Sequence, residues 1–292
     1  MIPSAFEYYA PGSLAEAVAL LKPHGDEAKI LSGGHSLIPL MKLRFATPAV
    51  IIDINGIPGL DYIKEEGGFL KIGALAREAS LESSPVVQQK FPLIADVVKV
   101  IADPQVRNRA TVAGNLAHGD PANDHPAVML ALGAEVELTG PGGSRALPVS
   151  EFFVDLLETA LTPEEVLTEI RVPVPPAGSG GAYYKIERKV GDFATIAVGS
   201  QVTLDSGGRV TAAGIGLTNA ATTPIKATDA EAYLVGKSLD DATLEEAGRL
   251  AMAMSDPSSD SRAPAAYKKA MVKELTIRTL KRAAERARGG QA

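Results

Sequence analysis

The chain has 292 residues, of which 46% are hydrophobic and 22% charged, so it can bury a full core and form two or three domains. Its formal net charge is −6 and no block of Lys or Arg precedes the C-terminal helix, which argues against nucleic acid and anionic membranes as partners. The absence of Cys excludes disulfides, thiolate nucleophiles, zinc thiolate sites and ordinary iron–sulfur ligation within this chain.

No segment has the pattern of a signal peptide or a membrane span, so residence in the cytoplasm is the expectation. In the first 55 residues, Ser13 and Glu16 have the spacing of a capping box, which predicts the start of a helix. Apolar runs at residues 28–31 and 50–54 predict two buried strands, the second ended by an Asn-Gly turn. A small α/β unit therefore closes near residue 55.

A glycine turn follows the first of these strands directly, at residues 32–37. Gly33 and Gly34 leave backbone N–H groups free to approach an anion at positions that a Cβ would obstruct. The amides of residues 33–36, with the Ser36 hydroxyl, are therefore candidates for a phosphate cradle. Alone, Gly-Gly after a strand more often marks only a turn. His35 receives a binding role only, because a lone loop histidine is usually a neutral hydrogen-bonding group.

Mixed helix and strand signals continue to about residue 173. Residues 69–73 and 134–138 have strand-like patterns, and residues 92–101 and 127–132 have helical ones. A turn rich in Gly and Pro follows at residues 140–143. One α+β domain is the simplest interpretation of this region.

A second glycine motif lies inside this region, at residues 111–115. It combines the Thr111 hydroxyl, Gly114 and the Asn115 amide, groups suited to hydrogen-bond the polar chain of a dinucleotide rather than its charge. The two glycine motifs together suggest one long ligand held in two places.

Four residues close behind this motif have side chains that can bind metals: His118, Asp120, Asp124 and His125. Adjacent side chains such as Asp124 and His125 generally point apart, and the two nearby prolines restrict the rearrangement that would gather the set. The pattern therefore does not predict a metal site.

The Pro- and Gly-rich segment at residues 173–181 is typical of a domain edge. Beyond it, β-rich runs at residues 194–204 and 210–217 flank a hairpin signal, and helices are predicted near residues 241–253 and 265–288. Composition alone favours a solvated hairpin with one buried aromatic for residues 185–193.

The whole string of motifs resembles the FAD-binding medium subunit of molybdenum hydroxylases of the xanthine oxidase family, and most of all the carbon monoxide dehydrogenase medium subunits. The likeness spans essentially the whole chain. It is carried by residues 32–39, 42–44, 53–55, 111–115, 120–124, 188–193 and 261–267.

The resemblance implies an α+β fold with a PCMH-type FAD-binding domain, similar to that of vanillyl-alcohol oxidase, at residues 1–176. Its two subdomains would cover about residues 1–55 and 56–176. A β-sheet and helix domain of the carbon monoxide dehydrogenase flavoprotein C-terminal type would follow at residues 177–292.

The resemblance also implies which residues contact noncovalent FAD, and it implies no catalytic side chain and no metal. The first loop would bind the pyrophosphate, the second loop and Asp124 would make further FAD contacts, and the remaining residues would lie near the flavin. Ala113 stands where the family pattern usually has Gly, and Phe193 where close relatives have Tyr. The implied set is Ser32, Gly33, Gly34, His35, Ser36, Leu37, Ile101, Ala102, Thr111, Gly114, Asn115, Asp124, Lys185 and Phe193.

The implied function is electron transfer within a molybdenum hydroxylase. FAD would take electrons from [2Fe-2S] clusters on a small subunit, fed by a large molybdopterin subunit, and pass them to an external acceptor, in a dimer of heterotrimers. Two alternatives stay open: a freestanding FAD-dependent oxidoreductase and a non-catalytic nucleotide-binding module. Carbon monoxide, aromatic N-heterocycles and aldehydes all remain possible substrates of the complex.

Overall fold

The computed structural model describes residues 1–289, and its N-terminal part contains a three-stranded parallel sheet. Its elements are β1 (Glu7–Tyr9), α1 (Leu14–His24), β2 (Ala28–Leu31), α2 (Leu37–Leu43) and β3 (Val50–Asp53). The strand order is β1-β3-β2. The predicted helix after Ser13 and the two predicted strands are confirmed, whereas the short β1 had no signal in the sequence.

The start of α1 has the hydrogen bonds of a helix cap. The Ser13 hydroxyl accepts from the Glu16 amide at 3.2 Å, and the Glu16 carboxylate accepts from the Gly12 amide at 2.8 Å. The return bond therefore reaches one residue further back than in a standard capping box. The helix buries Ala17 and Leu21 in the same apolar cluster as Ile52 of β3.

A five-stranded antiparallel sheet and six helices follow. They are β4 (Ile63–Glu66), β5 (Phe69–Gly73), α3 (Glu78–Ser83), α4 (Pro85–Lys90), α5 (Pro92–Val100), α6 (Pro104–Arg107), α7 (Val112–Ala117), α8 (Asp124–Leu132), β6 (Glu135–Gly140), β7 (Gly143–Pro148), β8 (Phe153–Asp155), β9 (Glu158–Thr159) and β10 (Val166–Pro173). The sheet order is β4-β5-β10-β6-β7, and β8 pairs with β9 separately. The predicted strands and helices of this region are confirmed, with α8 beginning three residues earlier than predicted.

The C-terminal part is a four-stranded antiparallel sheet followed by three helices. Its elements are β11 (Ser179–Ile186), β12 (Ile196–Leu204), β13 (Val210–Thr218), β14 (Ile225–Lys226), α9 (Thr228–Leu234), α10 (Asp241–Met254) and α11 (Ala265–Ala287). The predicted β12–β13 hairpin and the last two helices are confirmed.

Helix α8 of the second part packs directly on strand β13 of the third. A Cβ at Gly214 or Gly216 would overlap the carbonyl oxygens of Ala131 and Ala127, so this contact is made backbone to backbone. The opposite face of the sheet contributes to a second core that contains Val198 of β12 together with residues of α11. The C-terminal sheet therefore lies between α8 on one face and α11 on the other.

The predicted domain edge coincides with the connection between β10 and β11. Packing is continuous across it, because Tyr183, Ala194 and Ala197 share one apolar cluster with residues of α5 and α8. The division into residues 1–176 and 177–292 stays a prediction, and its last three residues, 290–292, lie outside the described part. Within residues 1–289, no helix has the length and apolar character needed to cross a membrane.

Candidate functional site

One cleft of about 870 Å³ brings the two glycine motifs together. It lies between the β2–α2 loop, the end of α5, the α6–α7 connection, the start of α8 and the β11–β12 connection. A volume near the upper end of the usual range for small-molecule pockets suits an elongated ligand. All the predicted site residues except Lys185 line this cleft: Ser32, Gly33, Gly34, His35, Ser36, Leu37, Ile101, Ala102, Thr111, Gly114, Asn115, Asp124 and Phe193.

The first loop leaves its amides available to a ligand. Within residues 1–289, the hydrogen bonds of the protein use none of the amides of residues 33–36. Gly34 has a φ of +76°, which L side chains rarely adopt, and a Cβ there would also approach the Ile38 side chain to 2.8 Å. This loop therefore offers several N–H groups to an anion.

Gly33 is also required for a contact inside the protein. Its missing side chain faces the second motif rather than open space, because a Cβ would lie 2.7 Å from the Arg109 carbonyl oxygen and 2.9 Å from the Thr111 amide. The predicted obstruction of an approaching phosphate stays a prediction, and the structure adds a clash with the second loop. Gly33 allows the backbones of the two loops to touch.

The second loop is fixed by its own hydrogen bonds. The Thr111 hydroxyl caps α7 by accepting from the Gly114 amide at 3.2 Å, and it lies 3.1 Å from the Ser32 hydroxyl of the first loop. A Cβ at Gly114 would come within 2.6 Å of this Thr111 oxygen. Ala113, where the family pattern usually has Gly, is buried inside α7. The helix accommodates its methyl group.

An arginine that the sequence analysis missed connects the same two loops. The Arg77 guanidinium donates to the Arg109 carbonyl and to the Asn55 side-chain oxygen, both at 2.5 Å. The Asn55 amide in turn donates to the Ser32 carbonyl at 2.9 Å. Arg77 lies 22 residues from Asn55 and 32 from Arg109 in sequence, so no local pattern could reveal the link.

Asp124 lies at the start of α8 in a buried polar network. One carboxylate oxygen accepts from the Tyr183 hydroxyl at 2.7 Å and the other from the Lys185 ammonium at 2.9 Å. Burial raises the pKa of Asp124 even though Lys185 acts in the opposite direction. Burial, with the neighbouring carboxylate, raises the pKa of Tyr183 well above its ordinary value. A carboxylate has about four lone-pair positions, so Asp124 can still accept from a ligand.

Lys185 lies behind the cleft rather than in its wall. Its side chain is only 2% exposed, and the ammonium donates to the carbonyl oxygens of Val100 and Asp192 as well as to Asp124. The composition-based interpretation of residues 185–193 is right about the hairpin, which joins β11 to β12. It is wrong about the buried side chain, because Lys185 is buried whereas Phe193 is 45% exposed at the cleft.

Ion pairs hold the β11–β12 connection at the cleft. Asp192 accepts from the Arg262 guanidinium at 3.1 Å and from the Phe193 amide at 2.9 Å. Arg262 belongs to the segment between α10 and α11, which the buried Lys268 stabilises through a 2.7 Å contact with Asp260. Through Asp192, the segment between α10 and α11 thus helps to position Phe193.

Two buried acceptors at the cleft have neither a hydrogen-bond nor an ion-pair partner among the described residues. They are Glu78 Oε1 and Asn115 Oδ1. Because unpartnered buried polar atoms are costly, they point to a ligand with hydrogen-bond donors. FAD fits this donor and acceptor set, since its pyrophosphate can accept from the first loop and its hydroxyl and amino groups can donate to these oxygens.

The four residues considered for a metal site are dispersed by the fold. His125 turns away to the buried Glu78, 2.8 Å from its carboxylate, whereas His118 lies 4.0 Å from Asp120. Within residues 1–289, no three His, Asp or Glu side chains are arranged to hold a metal ion. The cleft has the backbone donors and side-chain acceptors needed to bind and orient a dinucleotide.

Known proteins share both parts of this architecture. Residues 4–175 match the family model of the FAD binding domain in molybdopterin dehydrogenase, and residues 181–283 match that of the CO dehydrogenase flavoprotein C-terminal domain. The carbon monoxide dehydrogenase medium chain of Afipia carboxidovorans is 46% identical over 99% of this chain and 100% of its own length.

Solved structures agree with these matches. A chain of a Cu,Mo-CO dehydrogenase has a TM-score of 0.95 and 46% identity, with 98% of this chain and 100% of that chain covered. A chain of quinoline 2-oxidoreductase from Pseudomonas putida 86 has a TM-score of 0.91 and 31% identity, with 98% and 99% covered.

Proposed function

This chain belongs to the family that carries the FAD binding domain of molybdopterin dehydrogenases, and from that premise we propose that it holds FAD in the cleft between its two glycine loops as the flavin subunit of a three-component molybdenum hydroxylase. The observation that carries the proposal is the meeting of two loops 79 residues apart at one cleft, with Ser32 and Thr111 in contact.

The chain's own residues divide the work of binding. The first loop, residues 32–37, donates its amides to the FAD pyrophosphate, and Thr111, Gly114 and Asn115 hydrogen-bond the polar groups of the dinucleotide. Asp124 accepts from a ligand hydroxyl while Tyr183 and Lys185 hold it in place. Ile101, Ala102 and Phe193 provide the wall for the flavin.

FAD, when bound, supplies the one- and two-electron redox chemistry that links iron–sulfur clusters to an external acceptor. The chain contributes no nucleophile to that chemistry, and it has no Cys with which to ligate a cluster. We therefore place the [2Fe-2S] clusters on a small partner subunit and the molybdopterin on a large one.

The proposed assembly is a dimer of heterotrimers in the cytoplasm. Partner subunits of other sizes are supported by the Afipia carboxidovorans relative, which matches over its full length and is named as the medium chain of its enzyme. The substrate pocket would then belong to the large subunit. Chains of a CO dehydrogenase and of a quinoline oxidoreductase share this fold, which supports a flavin subunit that does not select the substrate.

The test is substrate-driven flavin reduction. The chain is purified alone and with the partner chains that co-purify with it, both forms are loaded with FAD, and flavin absorbance is followed by stopped flow after substrate is added. Rapid bleaching only in the presence of the partners supports the proposal. Bleaching of the lone chain at the full rate would favour a freestanding oxidoreductase, and a chain that never binds flavin would favour a nucleotide-binding module.

A further inference from the structure

The turn that ends α5 has an unusual backbone at the wall of the cleft. Ala102 has a φ of +47°, the left-handed region that residues with a Cβ avoid. Both Ile101 and Ala102 line the cleft. Such a conformation persists only where its surroundings hold it, and it is found preferentially at ligand sites.

Two buried cations hold this turn through three consecutive carbonyl groups. Lys185 donates to the Val100 oxygen at 2.7 Å, and one nitrogen of Arg107 donates to the oxygens of Ile101 and Ala102 at 3.0 and 3.2 Å. Hydrogen bonds from a charged donor are stronger than those between neutral groups. All three carbonyl oxygens of the turn therefore accept hydrogen bonds from cationic side chains of the protein.

Arg107 is itself held in one orientation. It is 9% exposed, and its Nε donates to the Glu82 carboxylate at 2.9 Å while Nη2 lies 3.4 Å from the other oxygen. The fork shape of the guanidinium allows one side chain to reach a carboxylate and two carbonyls together, which the single ammonium of Lys cannot do. Gly191 also packs against this turn, so closely that a Cβ would lie 2.6 Å from the Ala102 oxygen.

We propose that Arg107, braced by Glu82, is a positioning residue that holds Ala102 in its left-handed conformation and so shapes the wall against which the flavin lies. This inference rests on the proposed FAD site. A positioning role differs from that of an ordinary structural ion pair in one testable respect. The contribution of Arg107 to FAD binding should depend on the backbone conformation of Ala102.

The test uses the full chain, in the form in which it purifies, freed of flavin and titrated with FAD. Arg107→Lys keeps the charge but loses the fork, and we expect FAD affinity to fall about tenfold or more. Ala102→Gly removes the conformational strain and also one methyl group of the flavin wall, so its own FAD affinity is measured and serves as the reference for the double variant. In the double variant, glycine should adopt the turn without the guanidinium and restore most of the affinity.

Arg44→Gly provides the matched control. Arg44 also has a left-handed backbone, with a φ of 61°, but it is exposed and does not line the cleft. Adding this change to Arg107→Lys should restore nothing. Glu82→Gln weakens the ion pair with Arg107 while keeping the guanidinium. It should change FAD affinity and the visible flavin spectrum in the same direction as Arg107→Lys does, but by a smaller amount. This variant also tests the inference if Arg107→Lys does not fold.

Normal FAD affinity and an unaltered flavin spectrum in Arg107→Lys would overturn the inference. So would a double variant with Ala102→Gly that binds no better than Arg107→Lys alone. A wild-type chain that fails to bind FAD in every form would instead overturn the proposed function, so the two failures are distinguishable.

Discussion

The two walls of the cleft are built on different physical principles. In the N-terminal wall the two glycine loops touch through their backbones, with the Cβ position of Gly33 only 2.7 Å from the Arg109 oxygen. In the C-terminal wall the β11–β12 connection is held by ion pairs, chiefly Arg262 on Asp192. The first wall is therefore sensitive to added volume, and the second to charge and pH.

The largest expected effect comes from adding volume between the glycine loops. Gly33→Val places a branched side chain against the Arg109 and Thr111 backbones, which separates the loops and misplaces their donors. Losing two charge-assisted hydrogen bonds lowers FAD affinity by roughly two to four orders of magnitude. An equilibrium titration with FAD measures it. Gly56→Val is the matched control, because Gly56 has open space around it and no positive φ. Equal losses in the two variants would contradict the packing argument.

The second largest effect is expected at the base of the C-terminal wall. Asp260→Asn leaves the Lys268 ammonium, 1% exposed, without its carboxylate. Because Asp260 is itself 33% exposed, solvent screens the pair, and the expected loss of folding stability is about 2 kcal/mol, below the full cost of breaking a buried pair. Urea unfolding of the full chain measures this change. A loss below about 0.5 kcal/mol would show that this wall does not depend on the pair.

The same variant tests the pH dependence. Lys268 and backbone amides lower the pKa of Asp260 to about 2, although burial acts in the opposite direction. A lowered carboxyl pKa contributes stability that is present above the unfolded value of 3.8 and is lost as pH falls through the folded value. The stability difference between wild type and Asp260→Asn should thus be constant above about pH 5 and shrink towards pH 2. A difference that grows on acidification would contradict this sign.

A smaller effect is expected where the wall meets the cleft. Arg262→Ala removes the 3.1 Å contact to Asp192, with a cost of about 1 kcal/mol in stability and a few-fold loss of FAD affinity. Arg188 provides the control, because it also faces Asp192, at 3.4 Å, but is 69% exposed. Arg188→Ala should change neither quantity measurably, since exposed ion pairs contribute little. Thermal melts and FAD titrations of both variants would show whether the less exposed arginine, Arg262, makes the larger contribution.

The smallest effect is expected at His118. Burial lowers its pKa below 6.5, with Asp120 acting in the opposite direction, so the unfolded chain binds a proton more readily than the folded one. Wild-type stability should fall slightly as pH drops through 6.5, and His118→Ala should remove that component while leaving FAD affinity nearly unchanged. Chemical unfolding at pH 7.5 and 5.5 checks this. A large loss of FAD affinity would reopen the question of a metal at this position.

The contrast between the walls also explains what the sequence could reveal. Both glycine loops are short, continuous motifs, so their ligand-facing residues could be predicted, and all the residues predicted from them line the cleft. The sequence did not point to three arginines: Arg77, Arg107 and Arg262. Each of them contacts either a segment that is distant in sequence or backbone oxygens, and contacts of these two kinds leave no local sequence pattern. Strand β1 was missed because its three residues, Glu7–Tyr9, are mostly exposed and show no apolar alternation. The close approach of Gly33 to the second loop likewise left no local pattern, because the two loops are far apart in sequence.

The central claim is that two loops grip one dinucleotide, and the most direct measurement compares FAD with FMN. The full chain is purified, its flavin is released by acid and identified, and the flavin-free protein is titrated with both compounds. We expect one FAD per chain, released entirely into the supernatant, and FMN affinity at least about tenfold weaker, because FMN lacks the second half of the ligand. Equal affinity for FMN, or flavin that stays bound to the acid pellet, would contradict the claim.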